Sequence, residues 1–212
     1  MPDYFRAVAV DYDGTITYQP RPDESMLAAI RGVRGANRRV VLVTGRILAE
    51  LLADFPDVYT HFDAVVGENG AVLWHKGHDW PLVTPVSAHL YEALLSHGVY
   101  LRRGQVILAT SANLDQAIRE ECTRLGLDYQ IVHNRSELMV LPTGVSKATG
   151  LHAALEAMGI SCHSTVGMGD AENDFALLEY CEIGVAVGNA IPSLKEYADL
   201  VHADHRHVIV EA

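Results

Sequence analysis

Short apolar runs alternate with stretches of helical period over most of the chain. Arg6–Val10 reads as a buried strand. Asp23 can cap the helix that follows, whose apolar positions Leu27, Ile30 and Val33 recur at three-residue steps. Val40–Val43 predicts a second buried strand, and Ile47, Leu48, Leu51, Leu52 and Phe55 the helix after it. Ala64–Val66 and Ala71–Trp74 bracket a turn at Gly67–Gly70. Toward the other end, Lys147–Met158 sets Leu151, Leu155 and Met158 on one helical face. A strand at Ser164–Val166, a helix at Glu172–Tyr180 and a strand at Ile183–Val187 continue the scheme, before the short run Leu194–Ala198 and Leu200–His202. This alternation predicts an α/β fold built on a doubly wound, mostly parallel sheet.

Residues 75–142 follow another pattern: a helix at Val86–His97, a strand at Gln105–Thr110, a helix at Asp115–Leu125 and a strand at Leu138–Leu141. The segment holds 6 Lys+Arg and 7 Asp+Glu, a net −1, against −11 for the whole chain. It is expected to form a small α+β domain inserted into a core made of residues 1–74 and 143–212. Gly67/Gly70 and Pro142-Thr143-Gly144 are the expected crossovers, since Gly and Pro punctuate elements.

With 212 residues, 49% of them hydrophobic, the chain can bury a core without disulfide or metal staples. Its 16 Lys+Arg against 27 Asp+Glu argue against a general nucleic-acid binder, because phosphate backbones demand a basic surface. A small phosphorylated partner stays compatible, provided cations gather at one site. Cys122, Cys162 and Cys181 lack CxxC spacing and read as reduced, packed residues. The N-terminus reaches acidic residues before any signal-like apolar run, and no stretch reads as a membrane span, so a cytoplasmic protein is expected. His202-x-x-His205-x-His207 could bind a transition metal, although an exposed tail fits the pattern better.

Four places carry chemistry. Asp11-Tyr12-Asp13-Gly14-Thr15 ends the first strand, and alternation puts Asp11 and Asp13 on one side of it. Such a pair, at the carboxyl end of a parallel strand, can attack an electrophile or hold a hard cation while its neighbour moves a proton. It also reads as an Asx-rich turn. Thr44-Gly45-Arg46 offers a hydroxyl and N–H groups for an anion at a helix start, or simply a Thr cap; Arg46 reads as a strand–helix tie. Lys147 opens a helix where the dipole disfavours a cation, so either a phosphate or plain solvent accounts for it. Gly169-Asp170-Ala171-Glu172-Asn173-Asp174 lacks a dinucleotide fingerprint and suits a hard cation, or a capped helix. Each fragment is ambiguous alone. Chance would rarely line up all four at one sheet edge.

Together these motifs resemble the haloacid-dehalogenase superfamily of phosphatases, in its Cof-type branch, whose α/β cap is inserted before the motif lysine. Asp11-x-Asp13-Gly14-Thr15, Thr44-Gly45-Arg46, Lys147 and Gly169-Asp170-x-x-Asn173-Asp174 match its four motifs, and Gly67-Glu68-Asn69-Gly70-Ala71 its entry into the cap. The resemblance implies a Rossmann-like core with a cap at residues 75–142. It implies a Mg²⁺-dependent phosphomonoesterase for a small phosphorylated metabolite, such as a sugar phosphate or phosphoglycolate. Asp11 is then the nucleophile that forms an aspartyl-phosphate, and Asp13 the acid and base. Mg²⁺ falls to Asp11, the Asp13 carbonyl and Asp170, with Asp174 as a further or supporting ligand. Thr44, Gly45, Lys147 and Asn173 fall to the phosphate. A cation is needed, since two unit charges 4 Å apart interact by ~4 kcal/mol at an effective dielectric of 20. Arg102, Arg103, His133, Asn134 and Arg135 are the conspicuous polar residues of the insert, each also compatible with plain surface placement.

Two other readings use the same residues. A phosphomutase shares the core, and a receiver-like phospho-accepting module uses Asp, Thr and Lys around Mg²⁺. The Asp-x-Asp pair and the 68-residue insert disfavour the receiver. A homodimer is compatible with the sequence. So is a leading domain of a longer chain, since the C-terminus after Asp204 looks abbreviated for that branch.

Overall fold

A computed structural model describes residues 4–134 and 136–202. The elements along the chain are β1 (Ala7–Val10), α1 (Glu24–Gly35), β2 (Arg39–Val43), α2 (Leu48–Asp54), α3 (Val58–His61), β3 (Ala64–Gly67), β4 (Val72–His75) and β5 (His78–Pro81). They continue as α4 (Ala88–Ser96), β6 (Arg102–Arg103), β7 (Leu108–Ser111), α5 (Asp115–Leu125), β8 (Tyr129–Asn134) and β9 (Glu137–Pro142). The last are α6 (Lys147–Met158), β10 (Thr165–Gly169), α7 (Phe175–Tyr180), β11 (Ile183–Val187), α8 (Pro192–Tyr197) and β12 (Leu200–His202).

One eight-stranded sheet runs β12-β11-β10-β1-β2-β3-β4-β5. Its first six strands are parallel, and β4 and β5 fold back antiparallel. β1 and β2 are buried from Ala7 to Val10 and from Val40 to Val43, as fits strands covered on both faces. Asp23 caps α1 by accepting from the Met26 N–H, and α1 turns Met26, Leu27 and Ile30 inward. The fold is the expected α/β one, with its parallel sheet.

A four-stranded antiparallel sheet, β6-β7-β9-β8, has its own core of Leu90, Leu94, Ile118, Leu138 and Val140. The expected boundary at residue 75 falls inside the β4–β5 hairpin, because His78–Pro81 pairs with the large sheet. Lys76 and Gly77 turn that hairpin with positive φ. Two further strands, β6 and β8, were not expected. The expected strand at Gln105 begins only at Leu108, because residues 104–107 form a turn instead. The expected helix at Glu172 is first a 3₁₀ turn, Glu172–Asp174, because the Asp174 carboxylate folds back onto the Asp170 and Ala171 N–H groups. No helix among the described residues is long and apolar enough to cross a membrane. Arg135, His205 and His207 lie outside the described residues; His202 ends β12.

α6 approaches the sheet closely. A Cβ at Gly150 would lie 2.4 Å from Val66 Cγ1 and 2.5 Å from Gly70 Cα. Ala gains ~1 kcal/mol over Gly in a helix interior, but overpacking typically costs ~1–3 kcal/mol. Gly150→Ala is therefore expected to lower Tm in a calorimetric scan. Gly32→Ala, in α1 with nothing within 4 Å of the added carbon, is expected to raise it.

Candidate active site

The carboxyl ends of β1, β2 and β10 and the first turn of α6 meet at one edge of the large sheet, where open α/β sheets bind ligands. Asp11 follows β1 and its N–H donates to Met168 O at 3.0 Å, so neighbouring strands fix its position. Ser146 caps α6 through a reciprocal pair with Thr149, which starts the helix at Lys147. Lys147 is 1% exposed, and its ammonium donates to Asp11 Oδ1 and Asp174 Oδ1, both at 2.6 Å. Solvent therefore does not account for this lysine; carboxylates from two other segments do. Asp170 is fully buried and accepts from Thr15 Oγ1 at 3.2 Å.

Asp11, Asp170 and Asp174 bring carboxylate oxygens within 4.8 Å of one another. Burial is the largest influence on Asp11 and pushes its carboxyl well up; Lys147 opposes this, while Asp174 and Asp170 add to it. Burial also works against the Lys147 ammonium, but Asp11 and Asp174 outweigh it and hold the group above its ordinary range. Among the described residues, three carboxylates gather here, and the Lys147 ammonium pairs with two of them. An all-oxygen, buried, anionic donor set fits a hard divalent cation such as Mg²⁺. Both Asp174 oxygens are already bonded, to Lys147 and to the two N–H groups, which gives Asp174 a supporting place behind Asp11 and Asp170.

Asp13 stands apart from this cluster. Its side chain is half exposed and held by Arg46 through two bonds, Nε to Oδ2 at 2.8 Å and Nη2 to Oδ1 at 2.7 Å. Arg46 also reaches Asp54 at 2.7 Å and lies over the Tyr12 ring. Burial works against its charge, yet the bonds to Asp13 and Asp54 hold the guanidinium above its usual range. The strand–helix tie expected of Arg46 is present in its Asp54 bond, but the sequence reading missed its grip on Asp13.

Thr44 is buried, and its Oγ1 accepts from the Arg46 N–H at 3.1 Å. Gly45 and Asn173 adjoin: a Cβ at Gly45 would lie 3.4 Å from Asn173 Nδ2. Asn173 donates to Asn69 Oδ1 at 3.0 Å and keeps its own Oδ1 buried without a partner. Asn189, which the sequence reading passed over, donates to the Gly14 carbonyl at 2.8 Å and steadies the first loop.

A cleft of about 380 Å³ opens between the two sheets, lined by Asp13, Arg46, Glu50, Arg102, Glu137 and Met139 among others. Arg102, from β6, pairs with Glu50 of α2 at 2.8 Å and with Glu137 of β9. Asn134 also lines this cleft. Arg103 instead stacks on Tyr91, and His133 pairs with Asp115 at 2.6 Å, both away from it.

Residues 101–208 match the haloacid dehalogenase-like hydrolase family. A phosphoglycolate phosphatase of Methanothermobacter thermautotrophicus is 32% identical over 98% of this chain and 96% of its own length. The chain belongs to the haloacid dehalogenase-like hydrolases. It is an enzyme of the phosphatase kind, as the motifs led one to expect. A phosphoglycolate phosphatase of Archaeoglobus fulgidus is also 32% identical, over 92% of this chain and 89% of its own. Among solved structures, a haloacid dehalogenase-like hydrolase from B. subtilis superposes with a TM-score of 0.78 at 18% identity, covering 97% of this chain and 99% of that one. A subclass IIB sugar phosphatase of the superfamily gives 0.79 at 17% identity, with 97% of each chain covered. These likenesses carry the fold.

The balance of charge in the buried cluster is open to test. Lys147→Met would leave three carboxylates facing one another, and breaking such a pair costs about 3–5 kcal/mol. Denaturant unfolding in the presence of a chelator is expected to show that loss, and added Mg²⁺ to restore part of it. Equal stability of variant and parent under chelation would contradict the arrangement.

Proposed function

We propose that this chain is a Mg²⁺-dependent phosphomonoesterase that cleaves a small phosphorylated metabolite, phosphoglycolate or a sugar phosphate, through an aspartyl-phosphate on Asp11. The observation that carries the reading is the Lys147 ammonium between Asp11 and Asp174, sealed from solvent beside Asp170. Mg²⁺, held by Asp11, Asp170 and the Asp13 carbonyl with Asp174 in support, would supply the positive charge that lets a phosphate dianion enter this acidic site.

The chain's own groups divide the remaining work. Lys147 holds the Asp11 carboxylate in place through Oδ1, and a carboxylate oxygen of Asp11 attacks phosphorus as the bond to the leaving oxygen breaks. Asp13, once it has taken up a proton and let go of one Arg46 bond, gives that proton to the leaving oxygen, then takes one from the water that hydrolyses the acyl phosphate. Arg46 aims the Asp13 carboxylate at the cleft mouth by gripping both of its oxygens. The Thr44 hydroxyl, the Gly45 N–H, Lys147 and the second hydrogen of Asn173 Nδ2 steady the phosphate oxygens, where charge builds in the transition state. We take residues 83–142 as the cap, because β5 belongs to the large sheet. The phosphoglycolate phosphatases similar to this chain support the substrate class, and the fold shared with a sugar phosphatase keeps sugar phosphates in it.

Phosphate release from p-nitrophenyl phosphate and from a panel of phosphorylated metabolites is expected to need Mg²⁺ and to stop on chelation. Asp11→Asn is expected to cut release at least ~10³-fold with an unchanged circular dichroism spectrum. Wild-type turnover by that variant would sink the mechanism. An isomerised sugar phosphate in place of free phosphate would turn the reading to a mutase.

A further inference from the structure

Glu68 holds a buried carboxylate outside the Asp11–Asp170–Asp174 cluster, one the chemistry above does not use. It is fully buried on a left-handed backbone position, φ 54°, in the turn after β3. Main-chain donors from the other sheet meet it. Oε1 accepts from the Gln105 N–H at 2.8 Å, and Oε2 from Val106 at 2.8 Å and Ile107 at 3.2 Å. Successive N–H groups converging in a turn make a concave anion seat, and bonds to an ionised acceptor are the stronger kind. The seat closes on itself where the Gly104 N–H donates to Ile107 O at 2.9 Å. It also excludes side chains, since a Cβ at Gly104 would lie 2.4 Å from Glu68 Oε2.

The same turn grips the catalytic loops from the other side. Glu68 N–H donates to Arg46 O at 2.9 Å and Asn69 N–H to Thr44 O at 3.0 Å, while Asn69 Oδ1 receives Asn173. The seat at 104–107 lies between β6 and β7, whose Arg102 and Ala109 line the cleft. Glu68 thus bonds through its backbone N–H to the loop that carries Thr44 and Arg46, and through its carboxylate to the 104–107 turn.

We propose that Glu68 is a positioning residue whose carboxylate docks the 104–107 turn on the core and so fixes the height of the smaller sheet over the cleft, which sets the size of leaving group admitted. The activity arm of this inference rests on the phosphomonoesterase reading; the docking arm does not. Glu68→Gln keeps the shape but presents an amide nitrogen to N–H donors, and Gly104→Ala disturbs the seat from the opposite side.

Hydrogen exchange at the amides of residues 105–107 is expected to quicken at least tenfold in each variant, with β1 and β10 amides as protected as before. With Mg²⁺ present, KM for phosphoglycolate is expected to rise about tenfold, and KM for the bulkier p-nitrophenyl phosphate less than about twofold. A purely structural role would instead depress kcat for both esters alike. In a Glu68→Ala background the added methyl of Gly104→Ala finds vacated space, so its effect on exchange is expected to vanish. Unchanged exchange at 105–107, equal losses on both esters, or additive effects in the double variant would each overturn the proposal. If the parent cleaves neither ester the phosphatase reading falls, and exchange alone then decides the docking role.

Discussion

An ammonium ion sealed between two carboxylates, with a third alongside, is the constraint to which the rest of the molecule is built. Unit charges this close interact by several kcal/mol even at an effective dielectric of about 20. Leaving water is costly for each of them, and only mutual pairing offsets it. Lys147 meets that condition for Asp11 and Asp174, which come from opposite ends of the chain. The order β10-β1-β2 places the tips of the first and tenth strands side by side, and α6 delivers the lysine from its first turn. A buried set of carboxylate oxygens of this kind suits a small, highly charged cation.

The elements that bear this cluster were legible because their apolar runs are dense and their motifs sit at strand ends. A run such as Val40–Val43, buried throughout, leaves no choice of face to be read. What stayed hidden had weak or misleading local signals. β5 is His-Asp-Trp-Pro, exposed at all four positions, so no hydrophobic pattern marks it. β8 is only half buried along most of its length and carries Tyr, Gln, His and Asn around Ile131 and Val132. Arg46 could be placed beside its helix, yet its hold on Asp13 spans 33 residues and depends on tertiary approach. Glu68 did leave a trace, as a lone acid between Val65-Val66-Gly67 and Gly70-Ala71-Val72, where an unpaired charge would be costly.

The cleft wall shows how an acidic chain handles cations. Arg46 and Arg102, both in that wall, are each tied to two carboxylates, Asp13 and Asp54 for the first, Glu50 and Glu137 for the second. Guanidinium groups suit this, since their fork of donors serves two partners in fixed geometry. Arg102 spans from β6 to α2, so one ion pair in the cleft wall links the smaller sheet to a helix of the larger one.

The position of β1 bears on how the chain is made. It lies inside the sheet, yet its partner β10 begins only at Thr165. A chain growing from the ribosome at about 5–20 residues per second presents one flank of β1 without this neighbour until synthesis has passed Thr165. Until then that flank can recruit strands from other molecules. The order of the strands therefore leaves an unpaired edge in the nascent chain, an aggregation hazard that closes when β10 docks.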